Sequence, residues 1–189
     1  MSKKFYIADW HYGHVNVIAY DNRKFKNVDE MNAILIERWN SAVTKDDTVY
    51  VLGDMFWCKD DKAIEVLDRL NGHKILIRGN HDSKAGKFIE KFDMVVGYME
   101  IKDEGEHVVL CHYPIPCFNG HYKGWHHLYG HVHNSFEANM MEHQKYLMEQ
   151  LYLCPCNMYN VGAMMDYMDY TPRTLTEIKL LANGYKQVA

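Results

Sequence analysis

The 189-residue chain lacks the features that mark several specialised classes of protein. No apolar run is longer than a strand, so we predict no membrane-spanning helix. The N-terminus contains no apolar h-region of the length found in signal peptides before the charged Asp9, which argues against an export signal. Positive charge is not in excess, because 21 Lys and Arg side chains face 25 Asp and Glu. We therefore expect a cytoplasmic protein that enters no membrane and binds no duplex nucleic acid stably.

Cysteine pairs and linker sequence are also missing. The five cysteines form an odd set without CxxC spacing, which indicates reduced thiols rather than a disulfide framework or a structural zinc site. No repeat and no Pro/Gly/Ser-rich linker divides the chain, and its 48% apolar and 24% charged residues are ordinary for a globular protein. We predict one domain over residues 1–189.

Short β-type runs alternate with helix-type segments, and this order predicts an α/β or α+β layered fold. Strands are predicted at 4–8, 48–52, 74–77, 92–101, 106–111, 126–130 and 159–163. Helices are predicted at 28–43, 60–70 and 174–182, the last with Thr174 as N-cap and Glu177 three residues later. A helical insertion is predicted at 134–157, where packing on the protein's own core is the default and a lid or a dimer contact are the alternatives. The chain is accordingly expected to be a monomer or a homodimer.

Histidine is abundant, with twelve in the chain, and several lie just beyond predicted strands. Five strands end in residues that can bind metal: Asp9-Trp10-His11, Gly53-Asp54, Gly79-Asn80-His81-Asp82, His112, and Gly130-His131-Val132-His133. Side chains just past the carboxyl ends of neighbouring strands converge on one crevice, where layered α/β proteins bind their ligands. Each group is a weak signal alone, but the five together predict a metal site.

This ordered set resembles the five motifs of the calcineurin-like metallophosphoesterases, which are DxH, GDxx, GNH[DE], a single H and GHxH. The motifs span residues 9–133, and "YNVGAMMDYMDYTPRTLTEI" is similar to the end of short bacterial and phage members. The resemblance implies an αββα sandwich, in which two packed β-sheets are flanked by helices and two metal ions lie at the strand ends. It further implies that Asp54 bridges the ions, and it divides the remaining six ligands into Asp9, His11 and His133 for one ion and Asn80, His112 and His131 for the other.

Mixed imidazole, carboxylate and amide ligands suit transition ions, so two divalent ions are expected, with Mn²⁺ preferred and Fe, Zn or Ni as alternatives. The implied reaction is in-line attack on phosphorus by a hydroxide that bridges the ions. His81 is the expected donor of a proton to the leaving group, and Asp82 is expected to orient the His81 ring. His14 and Arg23 are candidate substrate contacts, Arg23 because guanidinium matches phosphate geometry.

Together these features predict a metal-dependent phosphodiesterase or broad phosphatase that acts on a small or nucleotide-type phosphoester. The alternative is a catalytically silent metal-binding module on the same scaffold, although such a protein would be expected to lack ligands or the acid. A metallo-β-lactamase-like enzyme would need an HxHxDH run, which this sequence does not contain.

Overall fold

Two four-stranded sheets carry the fold. The computed structural model describes residues 2–84 and 86–185, so residues 1, 85 and 186–189 of the predicted domain lie outside the described part. The first sheet contains β1 (Lys4–Ile7), β2 (Thr48–Val51), β3 (His73–Ile77) and β4 (Met94–Val96), and the second contains β5 (Met99–Asp103), β6 (Glu106–Leu110), β7 (His126–Tyr129) and β8 (Asn157–Asn160). The α-helices are α1 (Val17–Tyr20), α2 (Val28–Ala42), α3 (Asp60–Arg69), α4 (Phe136–Gln150) and α5 (Leu175–Tyr185).

Strand direction brings the ends of the strands to common edges. The first sheet has the order β1-β2-β3-β4 and is parallel throughout, with α2 and α3 in the connections. In the second sheet β5 and β6 form an antiparallel hairpin, while β6, β7 and β8 run parallel. Parallel neighbours end at the same edge of a sheet, so the segments after β1, β2 and β3 are adjacent, as are those after β6 and β7.

The two edges meet because the chain after β1 joins the chain after β8. Ala8 forms a parallel bridge with Gly162. The Ala8 amide donates to the Val161 carbonyl at 2.8 Å, and the Ala163 amide donates to the Ala8 carbonyl at 2.8 Å. This junction places the carboxyl ends of both sheets around one crevice.

The core follows the two-residue period of the strands. On β6, Val108 and Leu110 belong to the main core between the sheets, whereas Val109 faces a second cluster that includes Met148 of α4. Helices α2, α3 and α5 also bury residues in the main core, for example Leu35. The predicted fold of two packed sheets flanked by helices is confirmed.

The single strand predicted at 92–101 is wrong. The strand is interrupted at Gly97, so β4 pairs with β3 in the first sheet and β5 pairs with β6 in the second. The apolar pattern continues across the break, and one glycine is a weak signal for a change of sheet. The turn predicted in "KDEG" is confirmed, since Glu104 and Gly105 both have positive φ, as a two-residue hairpin turn requires.

Helix α4 lies inside the segment 134–157 and is only partly packed. Its Ser135 N-cap accepts a hydrogen bond from the Glu137 amide, and it buries Lys145 and Met148. Its other faces and the residues just after it expose large apolar side chains, namely Phe136, Met140, Tyr146, Leu151, Tyr152 and Leu153. Within residues 2–84 and 86–185, no helix has the length and apolar character needed to cross a bilayer.

Candidate metal centre

Three predicted ligands that are far apart in the sequence meet beside β1. Asp9, His11 and His133 each offer a donor atom, and these atoms lie within 4.8 Å of one another. The Nε2 atoms of His11 and His133 are 3.2 Å apart, and His133 Nε2 is 3.6 Å from Asp9 Oδ1. Two donors that each lie about 2.1 Å from one ion are separated by roughly 3 to 3.5 Å, so these distances suit a shared ion.

A second set of donors converges on Asn80. Its Oδ1 lies 2.9 Å from His112 Nε2 and 2.9 Å from His131 Nδ1. Asp54 Oδ2 lies 3.5 Å from the same His112 nitrogen. The arrangement provides a second group of imidazole, amide and carboxylate donors with the spacing of a metal site.

The two groups adjoin through buried carboxylates. Asp9 and Asp54 bring donor atoms within 4.8 Å of one another and of His112, so Asp9 of the first group adjoins Asp54 and His112 of the second. Bridging by Asp54 remains a prediction, with its Oδ2 turned towards His112 while Oδ1 accepts the His81 amide hydrogen bond at 2.9 Å.

Burial leaves atoms of the first group without partners. Asp9 is completely buried, and neither its Oδ1 nor Nδ1 of His11 has a hydrogen-bond partner. Burial raises the pKa of Asp9 to about 6, against the opposing charges of His133 and His112. Burial, reinforced by His133 and Arg23, lowers the pKa of His11 to about 2 and keeps this ring neutral. An orphaned carboxylate oxygen beside a neutral imidazole fits a bound divalent cation, which would favour the ionised form of Asp9.

Five of the seven predicted ligands have left-handed backbone, with φ of 51° at Asp9, 51° at His11, 54° at Asp54, 69° at His131 and 48° at His133. Residues with a Cβ rarely adopt this conformation, which costs about 1–2 kcal/mol each. Strained backbone of this kind collects at functional sites, where surrounding contacts hold it in place. The strand ends are therefore shaped for their side chains to converge rather than for local stability.

Glycine allows the backbone to approach the carboxylates closely. A Cβ at Gly79 would lie 2.2 Å from Asp54 Oδ1, and one at Gly130 would lie 2.4 Å from Asp9 Oδ2. Both distances are far below van der Waals contact, so the two glycines keep space for the carboxylates.

Comparison with known proteins agrees with this geometry. The sequence profile described as calcineurin-like phosphoesterase matches residues 5–157. An uncharacterised protein of Methanocaldococcus jannaschii is 36% identical over 97% of this chain and 94% of its own length. The chain belongs to the calcineurin-like phosphoesterase family. Membership of this family makes the chain a phosphoester hydrolase and implies that divalent metal ions take part.

Two further relatives extend the comparison. The gene 66 protein of Mycobacterium phage L5 is 32% identical over 60% of this chain and 64% of its own length. The crystal structure of a protein of unknown function from Aquifex aeolicus has a TM-score of 0.64 at 23% identity, and the match covers 96% of this chain and all of the other. This second likeness concerns the fold alone.

Arg23 in this phosphoesterase is not placed to bind substrate. Its guanidinium is fully buried and donates to the carbonyl oxygens of Asp9 and Trp10 and to the carboxylate of Asp21, at 2.9 to 3.0 Å. The sequence-based assignment of Arg23 as a substrate contact is therefore wrong. A lone arginine in "DNRKF" gave no sign that the chain would fold over it.

Asp21 is a residue of the site that the sequence analysis missed. Its Oδ1 accepts a hydrogen bond from Nδ1 of His133 at 2.7 Å, while Oδ2 is held by Arg23. A carboxylate on the far nitrogen fixes the tautomer of a metal-binding histidine and raises its basicity. His112 is oriented similarly, because its Nδ1 donates to the Leu52 carbonyl at 2.7 Å.

Asp82 has different partners from the one that we expected. Its Oδ2 accepts hydrogen bonds from the backbone amides of Gly79 and Asp54, at 2.8 and 2.9 Å, and the residue is buried. The carboxylate thus ties the loop after β3 to the loop after β2, and the expected orientation of the His81 ring by Asp82 is corrected. Sequence adjacency suggested the pairing, but the turn directs the two side chains to different neighbours.

His81 and His14 both line the pocket beside the first group of ligands. The His81 side chain is 41% exposed, and its Nε2 lies 3.9 Å from Asp54 Oδ2. His14 packs edge-on against Trp57 with ring centroids 4.3 Å apart. Both residues face the space that a substrate would enter. Neither is a member of the two groups of metal donors described above.

We predict that Gly79→Ala weakens metal binding by at least about tenfold, because the new Cβ displaces Asp54. Metal affinity is measured by isothermal titration calorimetry with Mn²⁺. Gly97→Ala is the matched control, since a Cβ there meets open space and Gly97 does not have positive φ. Equal affinities for the two variants would contradict the role assigned to Gly79.

We predict that Asp21→Asn lowers metal affinity by about 10- to 100-fold, because a neutral amide supports the His133 imidazole less well. The change keeps the size of the side chain, so Arg23 stays enclosed. Asp47→Asn is the control: Asp47 is a buried carboxylate that accepts hydrogen bonds from the backbone amides of Lys3 and Thr44 just before β2, at the opposite end of that strand from Asp54. A loss of folding stability without a loss of metal affinity in Asp21→Asn would limit Asp21 to a structural role.

Proposed function

We propose that the chain hydrolyses a small phosphodiester or phosphomonoester at a dinuclear metal centre, with His81 as the proton donor to the leaving group. The observation that carries the proposal is the convergence of seven donor residues beside a histidine that is exposed and lies outside them. Four histidines, two aspartates and one asparagine form the proposed ligand set, namely Asp9, His11, Asp54, Asn80, His112, His131 and His133.

When bound, two divalent ions supply a strongly electrophilic clamp for phosphoryl oxygens and a water of lowered pKa. The chain's part is to hold the donors. His112 and His133 have their far nitrogens committed to Leu52 and Asp21, which leaves the near nitrogens for the ions. We propose Mn²⁺ as the native ion, since the mixed oxygen and nitrogen set suits it, with Fe, Zn or Ni as alternatives.

Charge favours an anionic substrate. Asp9 and Asp54 are the only carboxylates in the proposed ligand set, so two divalent ions leave an excess of positive charge. Arg23 leaves this excess unchanged, because its charge is offset by the carboxylate of Asp21. A phosphoester would offset the excess on binding.

His81 is well placed to protonate a departing alkoxide. Its backbone amide is fixed by Asp54 Oδ1, while its ring remains exposed in the pocket that also contains His11 and His133. An acid in this position reaches substrate and exchanges its proton with solvent, and such catalysis contributes about 10²- to 10⁴-fold to a rate. His14 is proposed as a second contact to the phosphate.

The pocket is open, which favours diesters as well as monoesters. No residue of α4 is among the described residues that line it, which supports an uncovered metal centre over the lid alternative for this helix. Instead, α4 lines a separate cavity of about 260 Å³ together with β7 and β8. A second ester group thus has room to extend from the metal centre into solvent.

We predict that removal of metal by a chelator abolishes phosphoester hydrolysis and that Mn²⁺ restores it.

We further predict that His81→Ala lowers kcat by about 10²- to 10⁴-fold with two metals still bound. Release of the leaving alcohol from mono- and diesters is measured together with metal content. The loss should be smaller for a nitrophenyl ester than for an alkyl ester, because a good leaving group needs little protonation.

His143→Ala is the control, since this histidine lies on α4 outside the pocket. Full activity of His81→Ala would remove His81 from the mechanism. Two bound metals with no hydrolysis of any ester by the unaltered protein would favour a metal-binding interaction module instead.

A further inference from the structure

The pocket beside the metal ligands is lined by two chemically different sets of residues. Its volume is about 470 Å³, a size typical of small-molecule sites. One set consists of the ligands His11 and His133 with His81 and Asp21. The other set carries no charged side chain and contains two large aromatic residues; its members are His14, Asn16, Val17, Tyr20 and Trp57.

Trp57 is left exposed in this pocket. Its side chain is 44% exposed, whereas Trp10 and Trp39 are completely buried. An indole contributes most to folding when it is buried, so an exposed one beside a reaction centre marks a surface that a ligand covers. Tyr20, from α1, is 76% exposed in the same pocket.

The Trp57 ring is nevertheless held in place. The ring of His14 packs against it at 4.3 Å between centroids and that of His81 at 4.5 Å, both at steep interplanar angles. Its backbone amide donates to the Tyr12 carbonyl at 2.8 Å. These contacts restrain the indole and make it a rigid wall close to the proposed acid.

The charge of the pocket limits what lies against this wall. Among its described lining residues there is no Lys or Arg, and the one carboxylate, Asp21, is already paired with Arg23 and His133. A nucleic-acid strand requires a basic groove that follows its backbone. This pocket offers cations at one point only, where the metals bind, and therefore suits a ligand with one phosphate and an uncharged remainder.

We propose that Trp57 and Tyr20 form a subsite for a planar aromatic group, such as a nucleobase, carried by the phosphoester. The phosphate then lies at the metal ligands and the ring stacks on the indole, with the Asn16 amide at the rim. This assignment rests on the proposed function for the position of the phosphate. It makes Trp57 and Tyr20 the residues that select among small phosphoesters.

The test compares two ligands that differ in whether they carry the adenine base. The non-hydrolysable phosphonate analogues of adenosine 5′-monophosphate and ribose 5-phosphate are titrated into the metal-loaded protein by calorimetry. Stacking of one base on an aromatic side chain is worth about 1–3 kcal/mol, so the adenosine analogue should bind about 5- to 150-fold more tightly. Trp57→Ala should abolish this preference, Trp57→Phe should keep much of it, and Tyr20→Ala should reduce it.

Tyr152→Ala is the matched control for Tyr20→Ala, because Tyr152 is as exposed as Tyr20 and lies outside the pocket. Equal binding of both analogues by the unaltered protein would overturn the subsite and leave metal-dependent hydrolysis untouched. An equal loss of both in Trp57→Ala would also overturn it, since Trp57 would then act by supporting His81 and the metals. A preference that survives in Trp57→Ala would place the ring elsewhere.

Discussion

Asp9 and Asp54 are buried carboxylates whose oxygens lie within 4.8 Å of each other, together with His112. Two negative charges at that distance in a dry site repel each other strongly. Arg23, a buried cation nearby, donates to the backbone carbonyls of Asp9 and Trp10 and forms its ion pair with Asp21, not with the Asp9 carboxylate. Bound cations would relieve this repulsion, and the other features of the centre are suited to hold donors around them.

The backbone pays part of the cost of this arrangement. The left-handed φ of five ligands is unfavourable by itself. The close contact of two glycines with carboxylates restricts these positions to glycine. Hydrogen bonds oppose the strain: Asp82 holds the amides of Gly79 and Asp54, and Asp9 accepts the His131 amide at 2.9 Å. The fold thus holds the backbone at the strand ends in place, while bound cations would attract the donor side chains towards one centre.

Much of this could be predicted because strand ends and motifs are local signals. The polar residues that follow β1, β2, β3, β6 and β7 do meet at one crevice. The predicted N-cap of α5 is confirmed, since Thr174 and Glu177 exchange hydrogen bonds. What could not be predicted depends on contacts between distant segments. The support of His133 by Asp21 joins residues 112 positions apart, and the roles of Arg23 and Asp82 follow from how loops fold over one another.

The central claim is that seven side chains hold two ions and that His81 holds neither. Its most direct test is a crystal structure of the Mn²⁺-loaded protein with anomalous scattering. The account predicts two peaks about 3.5–4 Å apart, one bound by Asp9, His11 and His133 and the other by Asn80, His112 and His131, with Asp54 between them. A single peak, or a peak bound by the His81 ring, would contradict it.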